Sequence, residues 1–225
     1  MVSSVYHTIG ASRQIFIQAP TGVGKTMSTI FPAVRAVGEG KGETIFYLTA
    51  KTITRTVAQE AFEVLREKGM KYKVVTITAK EKLCFMDETK CDPVHCPYAR
   101  GHFDRVNDAV YELWTMKSRY DRETIREQAE KWQVCPFEMC LDLSVWVDAV
   151  ICDYNYVFDP TVHLKRFFGE GAGGDYIFLI DEAHNLAERG REMYSASICR
   201  EDAVRVRKVM KERAPRLYRS LGKLD

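Results

Sequence analysis

Mostly apolar runs of four or five residues alternate with longer amphipathic stretches in the first part of the chain. The runs at 15–19, 44–48 and 74–77 have the length and composition of buried strands. Between them, the apolar positions of 26–37 and 52–68 recur at helical spacing, and glycines follow each stretch as C-terminal stops. This strand–helix–strand rhythm predicts a parallel sheet covered by helices on both faces.

The alternation changes at Cys84. Helices are predicted at 102–118 and 121–132, and strand character resumes at 148–152 and 176–180. The cysteine-containing region therefore reads as an insert between strands of one sheet. The first of its helices is expected to share one apolar face among Phe103, Val106, Val110, Leu113 and Trp114.

Charge is distributed unevenly although the total is nearly balanced. The 225 residues carry 33 Lys and Arg against 31 Asp and Glu, a formal net charge of +2. Residues 1–83 hold 12 basic and 6 acidic side chains, and residues 188–225, which look helical, hold 11 and 6. Two basic ends around an acidic middle are typical of a surface that binds a polyanion. They are equally typical of solvated helix faces, so the charge distribution does not decide between these two interpretations.

Composition and cysteine usage narrow the class of protein. With 46% hydrophobic and 28% charged residues, the chain has an ordinary globular composition. Its apolar runs are too short for a transmembrane helix, and no secretory signal is present, so a cytoplasmic protein is expected. Five of the seven cysteines fall between 84 and 140, which in this compartment indicates metal or cluster ligands rather than disulfides. Cys152 ends an apolar run and is expected to be buried.

Two kinds of metal site fit the five clustered cysteines. The pairs Cys91–Cys96 and Cys135–Cys140 have the same spacing, which is typical of a tetrahedral Cys₄ zinc site. Alternatively, Cys84, Cys91, Cys96 and Cys135 hold an iron–sulfur cluster, which tolerates irregular spacing. Spacing alone slightly favours zinc.

Residues 19–26 form a glycine-rich segment between a predicted strand and a predicted helix. Such glycines let backbone N–H groups surround phosphates, and the helix N-terminus adds a positive dipole end. Lys25 would reach the β- and γ-phosphates, and the Thr26 hydroxyl would bind Mg²⁺. Ala19 replaces the usual first Gly, but a small residue still permits a tight turn. The predicted nucleotide-binding residues here are Thr21, Gly22, Val23, Gly24, Lys25 and Thr26.

An acidic tetrapeptide, Asp-Glu-Ala-His at 181–184, directly follows the predicted strand at 176–180. A carboxylate at the C-terminal end of a parallel strand lies at the ligand crevice of such sheets. Asp181 would hold Mg²⁺ and Glu182 would orient or deprotonate the attacking water, with His184 as a further nucleotide-binding residue. Helix capping is the alternative role of these carboxylates. Together with the phosphate loop, however, the segment predicts a nucleoside-triphosphatase with catalytic residues Lys25, Asp181 and Glu182.

Phosphate loop, cysteine insert and Asp-Glu-Ala-His box, in this order, resemble the first motor domain of the XPD/DinG-like iron–sulfur helicases of superfamily 2. The resemblance covers nearly the whole chain. Residues 48–52 resemble motif Ia, which contacts the backbone of single-stranded DNA in the family. Residues 82–84, 96–98 and 135–138 resemble the segments that supply cluster ligands, and 149–156 resembles the stretch leading into the DNA-facing surface.

The resemblance implies an α/β fold: a RecA-like P-loop motor domain, interrupted by a small, mostly helical iron–sulfur insert and followed by a helical tail. The expected divisions are 1–83 and 141–190 for the motor domain, 84–140 for the insert and 191–225 for the start of an arch-like insert. The implied ligands of a [4Fe–4S] cluster are Cys84, Cys91, Cys96 and Cys135, with Cys140 a spare.

The function implied by the resemblance is ATP-driven 5′→3′ movement on single-stranded DNA with unwinding of duplex, usually in DNA repair. Tyr154, Tyr156 and Phe158 are candidate base-stacking aromatics, or equally the alternation of a half-buried strand. We expect the chain to be an N-terminal motor fragment whose second motor domain lies in the same protein or on another chain. Alone it would bind nucleotide poorly and unwind nothing. The alternative is a nucleic-acid-binding module or scaffold with a Cys₄ zinc site and no motor activity.

Overall fold

The computed structural model describes residues 1–20 and 22–223, without the side chain of Thr52. Two compact units are present, Met1–Leu186 and the segment from Ala187 onward. The five strands are β1 (Thr44–Leu48), β2 (Val74–Thr76), β3 (Arg119–Tyr120), β4 (Ala149–Cys152) and β5 (Tyr176–Ile180). The helices are α1 (Val2–Gly10), α2 (Lys25–Gly38), α3 (Thr52–Glu67), α4 (Lys80–Leu83), α5 (His102–Met116), α6 (Arg122–Trp132), α7 (Pro136–Ser144), α8 (Asn155–Phe158), α9 (Lys165–Phe168), α10 (Leu186–Met193), α11 (Arg200–Arg213) and α12 (Pro215–Leu221).

The five strands form one parallel sheet in the order β3-β2-β4-β1-β5. Strand β1, next to the edge, pairs with the central strand β4 on one side and with β5 on the other, with Leu48 opposite both Cys152 and Ile180. The α/β class and the parallel sheet predicted from the sequence are confirmed. Strand order also places the carboxyl ends of β1, β4 and β5 side by side, which is where ligands bind in open parallel sheets.

Side chains of β1 alternate between two packed faces of the sheet. Ile45 and Tyr47 join a buried core with residues of α2 and α3. Phe46 faces the other way into an aromatic cluster, where its ring lies 5.1 Å from that of Phe167 and 5.5 Å from that of Phe178. Packing on both faces explains why β1 is continuously apolar after its first residue.

The first predicted strand, residues 15–19, is wrong. Residues 13–20 have no regular structure, and Ile15 and Phe16 are 43% and 88% exposed. An apolar run becomes a strand only when a neighbouring strand satisfies its backbone groups. Among the described residues none pairs with this segment, and β5 forms that edge of the sheet.

The cysteine-containing region is mainly helical, as expected. In α5, Val106, Val110 and Leu113 are buried, whereas Phe103 and Trp114 are 86% and 36% exposed, so the predicted apolar face includes two residues too many. The Asp121 carboxylate caps α6 by accepting a hydrogen bond from Thr124 N–H at 3.1 Å. Between these helices, β3 pairs with β2 and extends the sheet by a fifth strand.

The segment from Ala187 onward is helical, as its sequence predicts, with α11 packed on α12. Arg207 lies over the ring of Tyr218, 5.0 Å from its centroid, and fixes that pair of helices. In the part of the chain that the structure describes, no helix is long and apolar enough to cross a membrane.

Candidate nucleotide-binding site and cysteine cluster

The glycine-rich segment leads directly into the N-terminus of α2. Gly22 and Gly24 have φ of +82° and +74°, a left-handed conformation that strains any residue with a Cβ. Gly24 is the N-cap of α2 and Lys25 its first residue, so the free N–H groups of the first turn follow the loop at once. Val23 is half exposed between the two glycines. The predicted residue Thr21 lies outside the described residues.

Lys25 joins the glycine-rich loop to the acidic segment. Its ammonium donates a hydrogen bond to the Ala19 carbonyl at 3.2 Å and lies 4.0 Å from Glu182 Oε1. About a third of each of these two charged side chains is exposed. The sheet therefore brings together two predicted catalytic residues that are far apart in the sequence.

Asp181 and Glu182 occupy the carboxyl end of β5, next to that of β1. The Asp181 N–H donates to the Leu48 carbonyl at 3.0 Å, which continues the strand pairing by one residue. Burial raises the pKa of the Asp181 carboxyl, and the charge of Glu182 raises it further, while Lys25 and Lys51 act in the opposite direction. A partly desolvated carboxylate with two lysines nearby is suited to binding a metal cation, either free or bound to a phosphate.

Glu182 has a strained backbone, with φ of +51°. It is the N-cap of a 3₁₀ turn, Ala183–Asn185, but within the described residues its side chain makes no capping hydrogen bond. Its carboxylate faces Lys25 and, at 3.5 Å, Nδ1 of the exposed His184. Helix capping is thus not what this carboxylate does in the structure.

Thr26 and Tyr47 extend the site towards the core. Burial raises the pKa of the Tyr47 hydroxyl, and a hydrogen bond with Thr26 opposes that shift. The charge of Asp181 also contributes to the raised pKa of Tyr47, so these three side chains lie within one electrostatic environment. The Thr26 hydroxyl, which is predicted to bind Mg²⁺, therefore lies at the same end of the sheet as the Asp181 carboxylate.

The segment resembling motif Ia lies beside the acidic segment. Thr49 is buried, its N–H donates to the Cys152 carbonyl at 3.0 Å, and its hydroxyl contacts that of Thr54. The exposed Lys51 occupies the N-cap position of α3, and its main-chain carbonyl accepts a hydrogen bond from the Thr54 hydroxyl at 3.0 Å. These contacts hold a lysine at the surface next to the site.

The three aromatics proposed for base stacking lie at or within a short helix rather than on a strand: Tyr154 is the N-cap of α8, and Tyr156 and Phe158 lie inside it. Tyr154 and Tyr156 are 0% and 8% exposed, and Phe158 is half-buried. The Tyr154 hydroxyl donates to the main-chain carbonyl of Asp181. Sequence reasoning missed this role, because a tyrosine next to an apolar run does not reveal its hydrogen-bond partner.

The predicted cluster cysteines lie on segments that contact one another. Phe85 and Tyr98, which flank Cys84 and Cys96, have ring centroids 4.6 Å apart. The Lys80 ammonium hydrogen-bonds to the Cys91 thiol, and this contact and the nearby Cys135 sulfur raise the pKa of Lys80. Among the described residues, however, no three His, Cys, Asp or Glu side chains are grouped closely enough to hold a metal ion.

Cys135 has the surroundings of a ligand, and Cys140 does not. Cys135 is the N-cap residue of α7, where burial raises the pKa of its thiol and the nearby backbone of Glu138 and Phe137 opposes that shift. Its own N–H donates to Nδ1 of the buried His102 at 3.2 Å, and His102 Nε2 has no hydrogen-bond partner in the described part of the chain. Cys140 is fully buried inside α7, which raises the pKa of its thiol to about 12. Cys152 is likewise fully buried, as predicted.

Two sequence families match this chain. The DEAD_2 family matches residues 51–203, and the DEAD/DEAH box helicase family matches residues 3–96. The Fanconi anemia group J protein homolog of Gallus gallus is 32% identical over 89 residues, which are 40% of this chain and 6% of that protein.

Two solved structures share the fold. One named XPD_Helicase matches with a TM-score of 0.62 and 18% identity, over 99% of this chain and 38% of that one. A second, named Truncated XPD, matches with a TM-score of 0.61 and 19% identity, over 100% of this chain and 63% of that one. The chain thus spans less than two thirds of each of these relatives.

The parallel sheet and these structural matches define the fold class of the chain: an α/β domain of the kind found in both solved structures. The chain belongs to the DEAD_2 family of XPD-like helicases, a group of ATP-hydrolysing enzymes, as the sequence resemblance predicted.

Proposed function

We propose that this chain is the first motor domain of an ATP-dependent, iron–sulfur-type DNA helicase that moves 5′→3′ on single-stranded DNA and unwinds duplex. The observation that carries the proposal is the approach of Lys25 to Glu182 at the carboxyl edge of the sheet. A cation at a helix N-terminus facing a pair of carboxylates is the arrangement that phosphoryl transfer from a nucleotide requires.

Each residue of the site has a defined role in this proposal. Gly22, Val23, Gly24 and Thr21 surround the phosphates, and Lys25 neutralises charge on the β- and γ-phosphates. Thr26 and Asp181 would hold Mg²⁺, whose charge assists departure of the γ-phosphoryl group. Glu182 accepts a proton from, or orients, the attacking water, and the exposed His184 contacts the nucleotide beside it. A second motor domain supplies the arginine that stabilises the transition state.

We further propose that 84–140 is an iron–sulfur insert within the motor domain of 1–83 and 141–190, with 191–225 beginning an arch-like insert. Thiol donors on segments that contact one another, with Lys80 beside both Cys91 and Cys135, support a [4Fe–4S] cluster on Cys84, Cys91, Cys96 and Cys135. When bound, the cluster would cross-link these loops into a rigid wedge. The deep burial of Cys140 argues against it as a ligand and against the symmetric zinc site.

The test uses nucleotide and DNA together. We expect the full-length gene product to bind a fluorescent Mg·ATP analogue and single-stranded DNA, and to hydrolyse ATP faster when that DNA is added. DNA binding without nucleotide binding or hydrolysis would contradict the proposal and favour the scaffold with a zinc site.

A further inference from the structure

The hydroxyl of Tyr154 reaches the backbone of the acidic segment from the adjacent strand. Tyr154 follows the end of β4 and is completely buried. Its hydroxyl donates to the Asp181 carbonyl and lies 3.4 Å from the Glu182 carbonyl. A buried hydroxyl held this way fixes the main chain at the two residues that carry the catalytic carboxylates.

The backbone at Glu182 needs such support. Its φ of +51° belongs to the left-handed region, which a residue with a Cβ adopts only when its surroundings impose it. This conformation turns the Glu182 side chain towards Lys25. Relaxation to an ordinary backbone would change the direction of that carboxylate, while the Asp181 N–H would still be held by β1.

Tyr154 is also connected to the segment that resembles motif Ia. The Cys152 carbonyl, two residues before Tyr154, accepts the Thr49 N–H, and Thr49 contacts Thr54 below the exposed Lys51. A displacement of the loop after β1 would therefore reach the loop after β4 and, through the Tyr154 hydroxyl, the acidic segment.

We infer that Tyr154 is a positioning residue, which holds Glu182 in its hydrolysis-competent orientation and links it to the loop that contains Thr49 and Lys51. The inference rests on the proposed ATP hydrolysis at this site. It concerns the rate of the chemical step rather than nucleotide affinity, because Tyr154 is buried beneath the loop that contains the carboxylates.

The test compares Tyr154→Phe with Tyr120→Phe, which removes the hydroxyl of another fully buried tyrosine, one that donates to the main-chain carbonyl of Lys117 at 2.6 Å. In Tyr154→Phe, hydrogen exchange of the 181–185 segment should become faster, with the melting temperature little changed. In the full-length gene product, kcat for ATP should fall by about 10- to 100-fold while KM changes by less than about threefold, as for a misplaced catalytic group. Tyr120→Phe should leave hydrogen exchange of the 181–185 segment and kcat unchanged.

Three other outcomes are informative. Unchanged exchange and kcat in Tyr154→Phe would overturn the inference. Equal losses in both variants would also overturn it, since they would indicate a general effect of removing a buried tyrosine hydroxyl. If the wild-type gene product does not hydrolyse ATP, the proposed function fails, and the exchange measurement alone then decides whether Tyr154 holds the acidic segment.

Discussion

The Lys25 ammonium lies 4.0 Å from Glu182 Oε1, so the phosphate loop and the acidic segment form one site. Lys25→Ala removes the cation and leaves Glu182 facing a second carboxylate. We expect a fall in kcat for ATP of about 10²–10³-fold, as for loss of one charge-stabilising donor. Binding of a fluorescent ATP analogue should weaken as well. The matched control is Lys68→Ala, which removes an exposed lysine at the end of α3. Normal ATP hydrolysis in Lys25→Ala would contradict the assignment of this site.

Protonation of Asp181 should link stability to pH. Its pKa is raised by burial and by Glu182, so the ionised form is less favourable in the folded protein than in the unfolded chain. That cost to stability is present above the raised pKa and disappears as pH falls through it. Asp181→Asn should therefore raise the melting temperature at neutral and alkaline pH, and the gain should shrink towards the ordinary pKa of 3.8.

The control for this pH series is Glu170→Gln, which changes an exposed carboxylate in the loop before β5. Its melting temperature should follow that of the wild type throughout. A melting temperature of Asp181→Asn below that of the wild type at neutral pH, with the difference vanishing as pH falls, would show that ionised Asp181 stabilises the fold.

Cysteine substitutions should distinguish the proposed cluster ligands from Cys140, which is not expected to bind the cluster. Cys84→Ser and Cys135→Ser are expected to lose the iron and sulfide bound per chain after anaerobic purification. Cys140→Ala should retain both, because its thiol is fully buried inside α7. Metal and sulfide analysis provides the measurement. Iron retained in Cys84→Ser but lost in Cys140→Ala would show that Cys140, not Cys84, is the fourth ligand. One zinc ion per chain without sulfide would indicate a zinc site instead of an iron–sulfur cluster.

The aromatic cluster around Phe46 should be a major source of stability for the sheet. Phe46 is 0% exposed and contacts four aromatic rings, so Phe46→Ala should lower the free energy of unfolding by about 3–5 kcal/mol. Phe178→Ala, at a ring that is 41% exposed, should cost clearly less. Urea unfolding measures both. Equal losses would mean that Phe178 is covered in solution by something that buries it as deeply as Phe46.

Local patterns in the sequence are enough to define most elements. The bounds of β1 and β5 follow from apolar runs, and α2 and α3 from helical spacing closed by glycine, since these signals depend on neighbouring residues only. The residues of the phosphate loop and of the acidic box are identified in the same way. So is the family, because the order of these motifs along the chain is itself a sequence property.

The tertiary structure alone decides which of these elements meet. It leaves the apolar run at 15–19 unpaired, because a strand depends on a distant partner rather than on its own composition. It leaves Cys91 exposed and half-buries Cys135, although each is the first member of its sequence pair. The tertiary structure also directs the Tyr154 hydroxyl to the acidic segment, because the order of the strands determines which loops are in contact. The periodicity of apolar residues along one strand does not indicate which strands lie next to it.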